Sequence, residues 1–164
     1  MKNLFLIGFM GTGKSTIAKF LNRNYGMEML DMDEAIEAQE GMAISDIFKN
    51  KGEAYFRDLE TNLILQLKEK SNTVISCGGG VVLRPENVQG MKESGKVILL
   101  TAAPETILER VSRNDKRPLL NGHKNIEDIS KMMEDRRPRY EAAADVVITV
   151  DGKTVEDICK EIMN

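Results

Sequence analysis

Short apolar runs of strand length alternate along this chain with segments whose apolar residues recur at helical spacing. The runs predicted to be strands are NLFLIG (3–8), MEMLD (27–31), TVISC (73–77), KVILL (96–100) and DVVITV (145–150). Strands that alternate with helices favour a parallel sheet with both faces covered, because each crossover places a helix over the sheet. The pattern therefore predicts an α/β fold.

Three segments carry the evidence for helices. At the C-terminus, apolar residues follow a helical period behind a cap at Thr154, and Pro104 suits the first position of another helix. A third helix is predicted over 54–70, where Arg57 and Glu60 stand within reach of each other. An exposed pair would contribute little to stability. The apolar stripe turns this helix inward, however, so we expect Arg57 to face a site and Glu60 to orient it.

Composition limits what the protein can bind. The 164 residues suit one domain over residues 1–164. A net charge of −3 with both signs interspersed gives no general attraction to nucleic acid or to an anionic membrane. No apolar run approaches the roughly 18 residues of a membrane span. Cys77 and Cys159 lie far apart without metal-ligand spacing. We therefore expect a cytoplasmic monomer with Cys77 as a buried small residue.

Residues 8–15, GFMGTGKS, match the phosphate-loop pattern G-x-x-x-x-G-K-[ST] between a predicted strand and a predicted helix. Such a loop points backbone N–H groups at phosphate oxygens, and the helix N-terminus adds a positive dipole. Lys14 is predicted to reach the β- and γ-phosphates, and the Ser15 hydroxyl to take one position on Mg²⁺. The loop predicts nucleotide binding but not the acceptor, because several enzyme classes share it.

Asp31 and Asp33 stand two residues apart at the end of the second predicted strand. In an extended segment both carboxylates would face one way, into the crevice at the carboxyl ends of the strands. One could then hold the water shell of Mg²⁺ while the other binds a substrate hydroxyl. Alternatively, Asp33 caps the following helix. The spacing alone leaves both interpretations open.

The motifs together resemble those of the shikimate kinase family. The matching pieces are GFMGTGKS, DMDEAIE, ISDIFKNKGEAYFRDLE, CGGG, KRPLL and RRPRYEAAAD, in family order across almost the whole chain. The phosphate loop is generic, whereas FRDLE followed by CGGG and RPLL is specific to this family. The resemblance implies a three-layer α/β/α fold like that of nucleoside-monophosphate kinases, with a parallel sheet of five strands in the order 2-3-1-4-5.

The same resemblance implies an activity and a role for each site residue. ATP would phosphorylate the 3-hydroxyl of shikimate with one Mg²⁺ ion, a step towards chorismate and the aromatic amino acids. The implied ATP-binding residues are Gly11, Thr12, Gly13, Lys14, Ser15, Thr16, Arg110, Arg117 and Lys153. The implied shikimate-binding residues are Asp33, Arg57, Gly78, Gly79, Gly80 and Arg136. The implied catalytic residues are Asp33, as general base, Lys14 and Arg117, with Ser15 on Mg²⁺ and Asp31 on its water shell.

Residue chemistry supports these roles. An arginine offers a planar fork that fits a carboxylate, so Arg57 and Arg136 suit the carboxylate of a small anionic ring. Three consecutive glycines weaken any regular element, but they leave space where a ring could lie against backbone. We therefore expect Gly78, Gly79 and Gly80 to line the ring.

Several features mark regions or depart from the family pattern. Residues 32–60 are predicted to bind substrate, and the loop 112–125, which carries Arg117, to close over ATP. His123 is expected to be an exposed residue of that loop. Arg139 replaces the usual leucine and is expected to point to solvent, beyond a helix that Pro138 disturbs. DGKT (151–154) occupies the adenine-loop position without the proline that the family often has.

Two other functions fit part of the pattern. Another small-molecule kinase, such as a gluconate kinase, would share the phosphate loop. A regulatory module that binds ATP without transferring phosphate would need only that loop. The paired arginines, Asp33 and CGGG favour a kinase whose acceptor is a compact carboxylated ring.

Overall fold

In the computed structural model, which describes residues 2–112 and 126–164, five parallel strands form one sheet. The strands are β1 (Asn3–Ile7), β2 (Glu28–Asp31), β3 (Thr73–Ser76), β4 (Gly95–Thr101) and β5 (Val146–Thr149). Their order is β2-β3-β1-β4-β5, and each neighbouring pair is parallel. The predicted strands and the order implied by the resemblance are confirmed.

Helices make the connections between the strands. They are α1 (Lys14–Tyr25), α2 (Met32–Glu40), α3 (Ile44–Lys51), α4 (Glu53–Leu67), α5 (Pro85–Ser94), α6 (Pro104–Ser112), α7 (Ile126–Ala143) and α8 (Val155–Met163), with a short 3₁₀ helix at Val81–Leu83. The three predicted helices are present. Pro104 begins α6, and the Thr154 hydroxyl caps α8 by accepting from the backbone N–H of Asp157 at 3.1 Å.

Both faces of the central strands β1, β3 and β4 are buried, as their apolar runs predicted, whereas the edge strands β2 and β5 are partly exposed. Alternate residues of β1 point to opposite sides, so Leu4 and Leu6 join one apolar cluster while Phe5 and Ile7 join the other. The first cluster packs against α1, α6, α8 and the first half of α7, and the second packs against α2 to α5 and the end of α7. This arrangement makes three layers and fixes which helices meet at the edge where the strands end.

Helix α7 differs from expectation because it continues through Pro138 as far as Ala143. Proline removes one backbone donor and crowds the preceding turn, so a break was expected there. Tertiary packing outweighs that cost, since Tyr140 and Ala143 beyond the proline are buried against the sheet. The disturbance expected at Pro138 therefore does not break the helix, and Arg136 and Tyr140 share one helix.

The carboxyl ends of β1, β3 and β2 lie side by side and lead into the segments that carry the predicted site. The phosphate loop follows β1, the three glycines follow β3, and Asp31 ends β2. In open α/β sheets, ligands bind in the crevice at this edge. Among residues 2–112 and 126–164, none of the helices combines the length and apolar character that a membrane span requires.

Candidate active site

The phosphate loop joins β1 to α1 in a conformation suited to an anion. Gly13 caps α1 with φ 94° and ψ 22°, a left-handed backbone that favours glycine. The Lys14 ammonium group donates to the carbonyl oxygens of Gly8 at 2.8 Å and Phe9 at 3.3 Å. The buried Thr12 hydroxyl donates to the Phe9 carbonyl at 2.9 Å, so it holds the loop. The N-terminus of α1 therefore opens on the crevice, with Lys14 held across the loop.

Asp31 and Asp33 reach the same cleft, although the backbone that joins them is not extended as predicted. Helix α2 begins at Met32, and the Asp31 carboxylate caps it by accepting from the Glu34 N–H at 3.0 Å. Asp33 lies in the first turn of α2. The argument from an extended segment is thus wrong, as is the alternative that Asp33 is the cap. Both carboxylates nevertheless line the cleft beside the phosphate loop.

Arg57 and Glu60 form a buried pair rather than a surface one. An Arg57 guanidinium nitrogen lies 2.8 Å from a Glu60 carboxylate oxygen, and only 1% of the Glu60 side chain is exposed. A second carboxylate, Glu53, lies 3.3 Å from Arg57 Nε. Burial raises the pKa of Glu60, and Arg57 offsets part of that rise. Glu60 thus orients Arg57, as the sequence predicted.

Each of the three glycines leaves space for a side chain of the predicted shikimate site. A Cβ added at Gly78 would lie 3.0 Å from a carboxylate oxygen of Asp33, and one at Gly79 would lie 2.8 Å from Arg136 Nη1. A Cβ at Gly80 would overlap the guanidinium group of Arg57. The segment therefore lets one carboxylate and two guanidinium groups converge on its backbone, where an added Cβ would crowd each of them.

Arg136 lies between the phosphate loop and the glycine segment, which consists of Gly78, Gly79 and Gly80. Its guanidinium carbon is 5.8 Å from the centre of the Phe9 ring, within cation–π distance. One helical turn later, the Tyr140 hydroxyl donates to the Gly79 carbonyl at 2.8 Å. Burial raises the pKa of Tyr140, and the neighbouring Arg136 partly lowers it. Arg139, expected in solvent, is exposed but also donates to the Leu83 carbonyl at 3.1 Å.

Two buried polar atoms in this region lack a partner. Over the described ranges 2–112 and 126–164, the buried side-chain nitrogen or oxygen atoms without a hydrogen bond are Glu60 Oε2 and Arg136 Nη1. Buried polar groups are rarely left unpaired, because desolvation without a hydrogen bond is costly. One is an acceptor and the other a donor, and both residues line the same cleft. The cleft is therefore built to receive a ligand that carries both kinds of group.

Arg110 and Lys153, two of the predicted nucleotide residues outside the phosphate loop, lie on the side of that loop away from Arg57 and Arg136. Arg110, near the end of α6, donates to the Gly11 carbonyl at 3.0 Å. Lys153 pairs with Glu161 of α8 at 2.9 Å and also faces the cleft. Asp151, which opens the predicted adenine loop, accepts from the Ala103 N–H at 2.8 Å and the Thr106 hydroxyl at 2.5 Å. These contacts fasten the loop 151–154 to the start of α6.

One cleft of about 1120 Å³ brings together all the predicted site residues that the structure describes. It contains Gly11, Thr12, Gly13, Lys14, Ser15, Thr16, Asp31, Asp33, Arg57, Gly78, Gly79, Gly80, Arg110, Arg136 and Lys153. Arg117 and His123, and the predicted loop 112–125 apart from Ser112 at the end of α6, lie outside the described residues. The buried thiol of Cys77 has a raised pKa because of its burial, as expected for a packing residue.

Sequence reasoning missed two residues of this region. Phe48 of α3 lines the cleft and packs its ring 4.9 Å from that of Phe56, with the Arg57 guanidinium over both rings. Phe48 falls within the piece ISDIFKNKGEAYFRDLE and the predicted substrate region 32–60, but it was given no role of its own. Tyr140 falls within the piece RRPRYEAAAD but was given no role of its own. Its spacing of four residues from Arg136 would have placed both on one helical face.

Comparisons with known proteins agree with this geometry. The family model described as shikimate kinase matches residues 10–164. A curated shikimate kinase of Persephonella marina is 45% identical over 163 residues, which cover 99% of this chain and 98% of that protein. The solved structure of Acinetobacter baumannii shikimate kinase in complex with shikimate matches with a TM-score of 0.90 and 31% identity, covering 99% of this chain and 91% of that chain.

The architecture is also shared more widely. A gluconokinase from Sinorhizobium meliloti 1021 matches with a TM-score of 0.59 and 15% identity, over 98% of this chain and 88% of that chain. A likeness at that identity shows the fold alone, so it does not favour the gluconate kinase alternative. The family match over most of the chain and the full-length relatives show that this chain belongs to the shikimate kinase family.

Proposed function

We propose that this chain transfers the γ-phosphate of ATP to the 3-hydroxyl of shikimate. The observation that carries the proposal is the cleft in which Arg57, Arg136 and Asp33 converge on the glycine segment beside the phosphate loop. A regulatory module would need only the phosphate loop. This arrangement instead provides a second binding site next to the position of the transferred phosphoryl group.

The second site matches a small ring that bears a carboxylate and hydroxyl groups. Arg57 and Arg136 offer two guanidinium groups for the carboxylate, and the buried unpaired donor on Arg136 supports that role. Asp33 and the unpaired oxygen of Glu60 both face Gly78 and offer acceptors for hydroxyl groups. A ligand of this chemistry would satisfy polar atoms that otherwise remain buried without partners.

A Mg²⁺ ion bound with ATP fits the groups present. Among the described residues, no group of three or more acidic, histidine or cysteine side chains could hold a metal. Mg²⁺ suits such a site, since it commonly keeps several waters and binds substrate phosphates with only one or two protein ligands. We propose that the Ser15 hydroxyl would hold the ion directly and Asp31 through water. The ion would neutralise developing charge on the phosphates.

Positioning then accounts for most of the proposed catalysis. Phosphoryl transfer passes through a loose transition state, so alignment and charge neutralisation matter more than strong deprotonation. In this proposal the N–H groups of the phosphate loop and Lys14 hold the phosphates of ATP, and Arg57 and Arg136 hold the acceptor. Asp33 accepts the proton of the attacking hydroxyl, and Arg117 neutralises the transferring group.

The proposal also includes the domain organisation, the oligomeric state and the cellular location of the enzyme. We take residues 1–164 as one kinase domain that works as a monomer in the cytoplasm. The interspersed charges, with a net charge of −3, support the expectation that neither nucleic acid nor a membrane is a partner.

Release of ADP with different acceptors tests the function. Shikimate should stimulate release, whereas gluconate, nucleoside monophosphates and no acceptor should not. Arg136→Ala should raise the KM for shikimate about 10-fold or more, as expected for a lost hydrogen bond to a charged group. The neighbouring Arg137→Ala is the matched control, because Arg137 is exposed and paired with Glu134. Stimulation by gluconate instead of shikimate, or equal effects of the two variants, would contradict the proposal.

A further inference from the structure

The segment that follows β3 is held by side chains at alternate carbonyl groups. The Gly79 carbonyl accepts from the Tyr140 hydroxyl at 2.8 Å, and the Val81 carbonyl accepts from Asn87 Nδ2 at 3.0 Å. Since the three glycines give the segment no side chains of their own there, contacts of this kind fix its path. The donors belong to two different helices, α7 and α5.

The Asn87 contact extends to the helix that carries Arg57. Only 1% of Asn87 is exposed, and its Oδ1 accepts from the Thr61 hydroxyl at 2.7 Å. Thr61 lies on α4, one turn after Arg57, and its hydroxyl oxygen also lies 3.1 Å from the Arg57 carbonyl oxygen. One buried amide therefore connects the glycine segment with the helix that presents the first arginine of the proposed shikimate site.

The Tyr140 contact makes the corresponding connection on the other side. The ring is 4% exposed and lies on α7, one turn after Arg136. Burial raises the pKa of its hydroxyl, so the group is protonated at neutral pH and can donate to Gly79. Tyr140 thus binds Gly79 from the helix that carries Arg136. Asn87 binds Val81, two residues later, and contacts Thr61 on the helix that carries Arg57.

We propose that Tyr140 and Asn87 are positioning residues for shikimate: they set the distance of Arg136 and Arg57 from the glycine segment without touching the substrate. The inference rests on the proposed function and adds two residues to it. A carboxylate held by two guanidinium groups needs both at a fixed separation before binding. When either contact is lost, the arginine on that side must be ordered during binding, and the affinity for shikimate falls.

The test compares the two substrates. Tyr140→Phe removes only the hydroxyl, and it is expected to raise the KM for shikimate about 5- to 10-fold, the effect of about one lost hydrogen bond. The KM for ATP should change less than about twofold. Asn87→Leu keeps a similar volume and should show the same split, while thermal unfolding monitors its fold.

Tyr55→Phe serves as the matched control. The Tyr55 hydroxyl also makes a side-chain contact, donating to the partly buried Glu40 at 2.6 Å, but no contact joins it to the glycine segment among the described residues. Both KM values should therefore stay near those of the original chain. Unchanged constants in Tyr140→Phe, or equal rises for ATP and shikimate, would overturn the positioning role. If the original chain releases no ADP in response to shikimate, the proposed function fails first and this inference falls with it.

Discussion

Gly79 and Gly80 leave space that the guanidinium groups of Arg136 and Arg57 occupy. The crowding at Gly79 involves the far end of a flexible side chain, 2.8 Å from an added Cβ, so that chain can move away. Gly95, at the start of β4, presents the opposite case. A Cβ there would overlap the backbone oxygen of Asn3 on β1, which cannot move independently of the sheet.

The two glycines therefore predict different outcomes for the same substitution. Gly79→Ala should raise the KM for shikimate about 10-fold by displacing Arg136, with little change in the free energy of unfolding. Gly95→Ala should lower the free energy of unfolding by about 1–3 kcal/mol, as overpacking does, and leave the KM for shikimate unchanged. Steady-state kinetics and urea denaturation measure the two quantities. If Gly79→Ala instead lowered the free energy of unfolding and left the KM for shikimate unchanged, the three glycines would be only a structural turn.

Glu60 predicts a dependence of stability on pH. Its pKa is raised above the ordinary value of 4.5, first because of burial and also because Asp33 is near, although Arg57 opposes the rise. Between 4.5 and the raised value, the folded protein binds more protons at Glu60 than the unfolded chain. This group therefore makes the folded state less stable as the pH rises through that range.

Comparison with Glu60→Gln isolates this contribution, since glutamine has a similar shape and does not titrate. The free energy of unfolding of the original chain minus that of Glu60→Gln should decrease as the pH is raised from 4.5 through the raised pKa. Urea denaturation at a series of pH values gives this difference. A difference that stays constant or increases with pH would contradict the account of Glu60.

Strand β5 has an aspartate at each end, and each aspartate accepts a hydrogen bond from a backbone N–H group. Asp151 follows β5 and accepts from the Ala103 N–H at 2.8 Å, immediately before α6, the helix that carries Arg110 to the phosphate loop. Asp145 precedes β5 and accepts from the Val97 N–H of β4 at 2.8 Å. The Asp151 contact lies at the carboxyl ends of the strands, where the cleft is. The Asp145 contact lies at their amino ends.

Alanine at these two positions should separate binding from stability. Asp151→Ala should lower stability by about 1 kcal/mol, as loss of a hydrogen bond does, and also raise the KM for ATP a few-fold, because α6 and the loop 151–154 lose their connection. Asp145→Ala should lower stability without changing the KM for ATP. Thermal unfolding and kinetics with varied ATP test both. An unchanged KM for ATP in Asp151→Ala would reduce this contact to a purely structural one.

The elements that the sequence predicted well are those whose pattern has one local cause. The apolar run of β1, the Thr154 cap and the Pro104 start were each visible in a few residues. The misplaced elements depend on competition between local and tertiary effects. Asp31 caps α2 although Asp33 had equal propensity, and α7 passes Pro138 because Tyr140 and Ala143 are buried.

For the molecule as a whole, the motifs predicted which side chains meet but not what holds them there. The described members of the predicted site do lie in one cleft, because the phosphate loop, Asp31 and the glycines all follow adjacent parallel strands. The contacts of Asn87, Tyr140 and Asp151 join residues far apart in sequence, so no local pattern indicates them. Their discovery requires the packed structure.

The central claim is that the cleft directs the γ-phosphate of ATP to one hydroxyl of shikimate. Phosphorus–proton correlation NMR of the product formed from ATP, Mg²⁺ and shikimate tests it most directly, with Lys14→Met as the inactive control. The account predicts that phosphorus couples to the proton on C3 of the ring, and that Lys14→Met forms no such product. Phosphate on another hydroxyl, or no phosphorylated shikimate from the original chain, would contradict it.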